Sequence, residues 1–289
     1  TAEYINFSDH KEFNLKNSIV DLAYLKKLKI RKRKKPLDII FSKLALKSNG
    51  KIIMEDIRGE IRVFNGVRGY ARSANSKGNE TTFTFTPKKS KQTEVLILSK
   101  NAGNFLRSSQ FYENGYGGRI KIRFLYRNKE NMEGEFEIDD FRVRKAPVLA
   151  QLISAASIIG LLDSLNGIGL LFTKIEGKFS FKGNKLELIG GVATGPSIGL
   201  TMAGFEKYDA GNNQVKVEGL ISPIYLINGV VKSIPIIGKV LGGERGEGVF
   251  GMAYKVEGNS KKPSVFVNPV SIITPGAFRN IFKLNDKEE

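Results

Sequence analysis

The stretch "GPSIG", residues 195–199, matches the G-x-S-x-G elbow that presents a nucleophilic serine in esterases, with Ser197 in the reacting position. That chemistry needs a general base, and the elbow fold supplies it from a histidine later in the chain. The only histidine is His10, far upstream, so the motif has no partner in the required order. "GGERGEG", residues 242–248, has the glycine content of a phosphate loop but neither the G-x-G-x-x-G spacing nor a terminal G-K-[ST]. It reads as a turn into a strand. With one His and no Cys, only carboxylates are left as metal ligands. The adjacent pairs Asp139-Asp140 and Glu55-Asp56 would point to opposite faces of a strand, so neither makes a dyad unless a bulge realigns it. We therefore expect no enzyme, no metal and no cofactor.

The elements around these residues must come from a chain of 289 residues, long enough for one large domain, two, or an extended unit. Apolar content of 41% and charged content of 26% describe a folded protein and exclude wholesale disorder. The net charge of +17 favours polyanionic neighbours, either nucleic acid or a membrane with acidic headgroups. Absence of Cys excludes disulfides and thiolate chemistry without choosing a compartment. The chain opens on Thr1 with no signal peptide following, as expected of a mature or trimmed product.

Residues 1–36 end in "LKKLKIRKRKKP", a concentration of positive charge that fits a nucleic-acid or phospholipid patch and equally a solvated edge or linker. From Leu37 onward, alternation dominates. "RIKIRFLYR" places Ile120, Ile122, Phe124 and Tyr126 on one face and Arg119, Lys121, Arg123 and Arg127 on the other, the pattern of a half-buried strand. "TTFTFTP", "TEVLILS", "GKFSFKGNKLELIGG", "NQVKVEGL" and "GVFGMAYKVEG" repeat it. Asn65-Gly66, Gly183-Asn184 and Gly211-Asn212 supply turns, so consecutive strands are expected to pair antiparallel in a long meander. Three segments break the rhythm. "NAGNFLRSS" predicts a short helix. "APVLAQLISAASIIGLLDSLNG" predicts a buried one from Pro147 to the Asn166-Gly167 stop, its uncharged span too short for the ~20 residues of a bilayer crossing. "SPIYLINGVVKSIPIIGKVLGG" predicts two short helices, with Ser222 capping, Pro223 and Pro235 starting, and Gly242-Gly243 stopping.

Further motifs sit in residues 186–282: G-P-x-x-G-L at 195–200, P-x-Y-x-x-N at 223–228, I-P-I-I-G at 234–238, G-E-G-V-F at 246–250, V-N-P-V-S at 267–271 and P-G-x-F-R-x-I-F at 275–282. In these the chain resembles the C-terminal region of the AsmA-like family of Gram-negative envelope proteins, particularly its YhdP-type branch. Weaker likeness reaches upstream to about Leu37; one departure is Asn101, where such proteins commonly carry Asp. The resemblance implies a basic segment at 1–36 continuing an upstream body, an AsmA-like C-terminal domain at 37–282 and a polar tail at 283–289. It implies a mainly β fold, a long curled antiparallel sheet with a groove and a few short capping helices. It further implies the periplasmic part of an inner-membrane-anchored protein, the anchor lying outside this chain, that moves phospholipid toward the outer membrane without catalytic residues or cofactor.

A meander with one apolar face must close on itself, pack against helices, or cover something greasy. Candidate lining residues for an acyl-chain groove are Ile120, Ile122, Phe124, Phe179, Phe181, Phe250, Met252 and Tyr254; ordinary core packing fits each of them as well. Ile224, Ile227, Val231, Ile234, Ile236 and Ile237, with Lys232 and Lys239 for headgroups, are candidates to cap the groove or touch a membrane surface on the outer-membrane side. Two readings compete with a lipid conduit: an envelope scaffold that binds protein partners and carries no lipid, and a basic nucleic-acid binder, whose mark would be a basic stripe interleaved with exposed aromatics. No nucleic acid is expected as a partner.

Overall fold

A computed structural model of the chain describes residues 2–21, 35–48, 50–74, 80–88, 92–128, 131–158, 160–209, 212–223, 249–268 and 272–273. It forms two compact units, Thr1–Met132 and Glu133–Glu289.

The first unit contains β1 (Ala2–Asn6), β2 (Lys11–Lys16), β3 (Ile19–Asp21), β4 (Leu37–Ser48), β5 (Lys51–Val63), β6 (Val67–Ala74), β7 (Glu80–Pro87), β8 (Thr93–Ser99) and β9 (Gly115–Asn128), with helix α1 (Ala102–Ser108) between the last two. From β4 to β9 each strand pairs antiparallel with the next, as the turn signals predict. The opening differs: β2 and β3 both run parallel to β4. Parallel neighbours require a long return connection, which residues 22–36 provide. β2 and β3 form one line beside β4, with β1 antiparallel on the outer side of β2, and the line is broken at Asn17 (φ 48°) opposite a bulge in β4 at Ser42-Lys43, where Lys43 has φ 56°. A second bulge at Glu55-Asp56 in β5 lies between the pairs Leu44↔Ile57 and Leu46↔Met54. The first bulge adds a residue to β4 and the second adds one to β5, which returns the ladder to step before a third irregularity between Leu46 and Lys47 leaves Ile53 extra in β5. Gly59 (φ +152°) and Gly69 (φ +141°) let β5 and β6 twist together here; a Cβ on either would strike the facing strand's carbonyl.

The second unit contains β10 (Asn131–Val143), helices α2 (Pro147–Ala155) and α3 (Leu161–Asn166), β11 (Leu170–Lys182), β12 (Lys185–Thr194), β13 (Ile198–Lys207), β14 (Gln214–Pro223), β16 (Met252–Asn259) and β17 (Ser264–Asn268), with β15 (Val249–Phe250) and β18 (Ile272–Ile273) forming a separate two-stranded ladder. The ladders from β11 to β14, and on to β16 and β17, are antiparallel.

Two expectations are corrected here. The helix after Pro147 is not continuous: it stops at Ala155 and resumes at Leu161, because Ser157 (φ 53°) and Gly160 (φ 82°) take left-handed conformations. Nor is it buried all round, since Gln151, Ser154 and Ala155 face solvent while Leu152, Ile153 and Leu165 are enclosed. Ser222 and Pro223 do not start a helix; they end β14, paired with Gly199 and Ile198 and buried. Proline is tolerated there because a strand terminus needs no further ladder donor.

The protein is thus mainly β: sixteen strands in one sheet ordered by chain position apart from β3 beside β4, with separate first and last strands rather than a closed barrel, and few short helices. Among the described residues no helix is long and apolar enough to cross a membrane.

Candidate functional site

Antiparallel partners share a face, so the register of the first unit can be read as rows running across the strands. One row is Leu44, Ile57, Ser73, Thr81, Ser99 and Ile120, all buried. It lies on the side of α1, which packs on β9 and β5 with Ala102, Gly103 and Leu106 enclosed. Its polar members are satisfied within the protein: Thr81 Oγ1 donates to Ser99 Oγ at 2.9 Å and Ser73 Oγ to the Glu55 carbonyl at 2.6 Å. α1 is held by Asn101, whose side-chain oxygen accepts the Asn104 N–H at 2.9 Å. An amide thus fills the capping role at this helix start.

Away from α1 the face opens. Phe41 and Ala71 are buried, but Phe83, Ile97 and Ile122 in the same row are only half-buried; in the next row Val95 is buried while Ile39, Ile61, Phe85 and Phe124 are half-buried, and Ile39, Ile61, Phe83 and Phe85 pack against the Phe41 cluster. The candidates Ile120, Ile122 and Phe124 therefore share one face and grade from closed to open along one strand. The opposite face is charged, with Arg58, Arg62, Arg68, Arg72, Arg119, Lys121 and Arg123 exposed. Arg62 grips Asp38 with two N–H donors at 2.7 and 2.8 Å, and this holds the Asp38 carboxyl below its ordinary range.

In the second unit Phe179, Phe181, Met252 and Tyr254 also share a face. One row is Phe179, Leu188, Gly204, Val217, Val256 and Val265; the next is Gly177, Gly191, Met202, Gly219, Tyr254 and Val267. Phe179, Phe181 and Met252 are half-exposed. Tyr254 is buried, and its hydroxyl crosses β14 to donate to the Thr201 carbonyl at 2.8 Å. Gly219 makes this crossing possible: a Cβ there would sit 1.9 Å from the Thr201 oxygen and 2.9 Å from the Tyr254 hydroxyl. Burial raises the Tyr254 pKa strongly. Phe250 belongs to the separate β15 ladder, not to the strand of Met252 and Tyr254 as the alternation suggested. At the far end of the unit the face is filled: Ile153, Leu165, Ile198, Ile221 and Pro223 are the largest fully enclosed side chains of the described protein. Helix α2 packs against β17 and α3 against β11.

The other cap and membrane-contact candidates, Ile224, Ile227, Val231, Lys232, Ile234, Ile236, Ile237 and Lys239, lie outside the described residues, as do the basic run 26–34 and the motif 242–248.

The chemical motifs resolve as follows. "GPSIG" joins β12 to β13 in a hairpin, the Gly195 N–H donating to the Ile198 carbonyl at 3.0 Å; a nucleophile elbow would turn from strand into helix. His10 stacks on Phe7, 4.4 Å between ring centres, and contacts Asp9 at 2.8 Å. Both acidic pairs do sit at irregularities: Glu55-Asp56 at the β5 bulge, and Asp140 at φ 53° in β10, where Ile138 and Phe141, three apart, are both buried. Asp56 is engaged by Arg58 at 3.0 Å. Among the described residues no three His, Cys, Asp or Glu side chains gather as a metal site.

The positive charge is not spread evenly. Residues 1–132 hold 28 Lys and Arg against 12 Asp and Glu, whereas 133–289 hold 18 against 17. Counting residues by unit would have revealed this from the sequence; counting by chain concealed it. Among the described residues the exposed apolar side chains on the charged face of the first unit include Tyr70, Ile19, Ile40, Ile52 and Leu98, one aromatic among aliphatics. A base-stacking platform would present several aromatics.

The geometry defines an open antiparallel sheet whose first unit has one charged face and one incompletely covered apolar face. No family model, curated protein or solved structure matches the chain.

Proposed function

We propose that the protein is a non-enzymatic lipid-transfer segment whose apolar sheet face shelters phospholipid acyl chains, working in the periplasm between inner and outer membrane as part of an AsmA-like envelope protein. One observation carries this reading: on one sheet face Phe83, Phe85, Ile97, Ile122 and Phe124 stay partly exposed although Ala71 and Val95 in the same rows are buried. Exposed acyl chains cost about 0.8 kcal/mol per methylene, so a chain of roughly fifteen methylenes faces about 12 kcal/mol in water. An apolar face many strands wide removes most of that barrier. The periplasmic setting rests on the motif resemblance.

The test is lipid carriage by purified protein. Native mass spectrometry and lipid extraction are expected to find bound phospholipid, and Phe124→Asp or Phe181→Asp to abolish it with circular dichroism unchanged. Protein that binds no phospholipid but captures envelope proteins would replace the conduit with the scaffold reading.

A further inference from the structure

We infer that the turn-bearing edge of the first unit, opposite α1, is a docking surface for an anionic bilayer; the inference rests on the lipid reading in supposing that lipid reaches the apolar face across this edge. The row nearest α1 is closed, but at the other strand ends the connections 7–10, 35–36 and 64–66 come together with Pro87, Lys88 and Gln92. Lys35 Nζ reaches the Phe7 carbonyl at 3.5 Å, the Val67 N–H donates to Thr93 Oγ1 at 3.0 Å, and the Lys88 N–H donates to the Gln92 carbonyl at 2.8 Å. Two phenylalanines stand in these turns, Phe7 at 40% and Phe64 at 42% exposure. Turn positions normally carry polar residues, and phenylalanine beside lysine is the pairing that suits the boundary between headgroups and acyl chains.

Around them Lys35, Arg68 and Lys88 are exposed, and the acidic groups on the same edge are Asp9, Glu12, Asp38 and Glu94. Asp38 is held by Arg62 and Glu94 faces Lys88 at 3.4 Å, so Asp9 beside His10, and Glu12, whose carboxylate accepts from the Asn14 amide at 2.8 Å, are the acids left to oppose an anionic surface. The unit's 28 basic against 12 acidic residues add a long-range pull of the same sign. Two phenylalanine tips among lysines, with half-exposed aliphatics behind them, fit a lipid surface better than a nucleic acid, which would want a stacking row.

Vesicle co-sedimentation of the full chain tests this. Phosphatidylcholine vesicles containing phosphatidylglycerol are expected to bind well and pure phosphatidylcholine poorly. Lys35→Ala and Lys88→Ala should each weaken binding about fivefold, and Phe7→Ser with Phe64→Ser about tenfold. Phe111→Ser, on the α1 side and 69% exposed, should change nothing. Equal losses for Phe111→Ser and the edge variants, or none for any, would overturn the inference, as would tighter binding to an oligonucleotide than to anionic vesicles. Loss of vesicle binding with phospholipid still carried leaves the lipid reading standing. Edge-dependent vesicle binding by protein that carries no phospholipid leaves the docking surface standing and removes the conduit.

Discussion

The two units solve the same problem differently. Each turns one face of a strand meander toward apolar partners and closes part of it with helix. In the second unit, α2 and α3 complete the closure at one end, and Ile153, Leu165, Ile198 and Ile221 are fully enclosed. In the first, α1 covers a single row, and beyond it buried Phe41, Ala71 and Val95 alternate with partly exposed Phe83, Phe85, Ile97 and Phe124. A core that stops short is a poor way to gain stability and a good way to keep apolar surface for something else. Charge differs between the units as well, concentrated in the first and balanced in the second.

The largest expected effect comes from equal truncations in the two settings. Ile153→Ala in the closed unit should cost about 3 kcal/mol, while Ile97→Ala on the open face should cost about 1 kcal/mol. Denaturant unfolding measures both, and equal costs would mean that the open face is a packed core. Next comes the tyrosine that locks the second unit. Gly219→Ala forces a methyl against the Thr201 carbonyl and should cost about 2 kcal/mol or more; Tyr254→Phe, which leaves that carbonyl without its donor, about 1 kcal/mol. Little effect of either would place the second unit's stability elsewhere.

In the first unit, Asn101→Ala should lower stability by about 1 kcal/mol and Asn101→Asp should preserve it, since either side-chain oxygen can accept the Asn104 N–H. Thermal melts read this directly, and phospholipid carriage should track α1 only through stability. The smallest effects are expected from pH. Tyr208 and Tyr112 are each pushed up to about 12, chiefly by burial. A folded pKa above the unfolded value near 10 means that the unfolded chain sheds its proton first. The associated stability is therefore whole below pH ~10 and drains away between there and about 12. At the acid end Asp38 is depressed by Arg62, so its contribution holds above the ordinary carboxylate range and fades as pH falls through its folded value. Arg62→Ala should remove the second dependence and spare the first, as read by pH-dependent melts and by ultraviolet titration of the tyrosines.

The alternation of "RIKIRFLYR" made the meander legible, because its period of two survives in any half-buried strand. It also put Ile120, Ile122 and Phe124 on one face. It could not grade them, since closure over Ile120 comes from α1, which packs on this strand from outside its own pattern. Tyr254 looked like any inward aromatic in "GMAYKVEG"; its crossing to Thr201 depends on Gly219, 35 residues earlier and one strand away. The parallel pairing of β2 and β3 with β4 was hidden because strand direction is set by the long connection after Asp21, not by strand composition. The division of the helix after Pro147 hung on the backbone at Ser157 and Gly160, where an apolar run gave no sign of a break.

The paired bulges in β4 and β5 have a consequence for how this protein can change length. Deleting Lys43 by itself would leave Phe41 and Leu44 facing inward with Ser42 between them, an unbroken alternation, and deleting Asp56 would do the same for Met54 and Ile57 around Glu55. Each bulge thus holds one removable residue, whose loss returns its strand to regular pairing without moving a neighbour to the other face. A single deletion at a regular position such as Ile40 has no such slack and should be far more damaging than loss of Lys43 or Asp56.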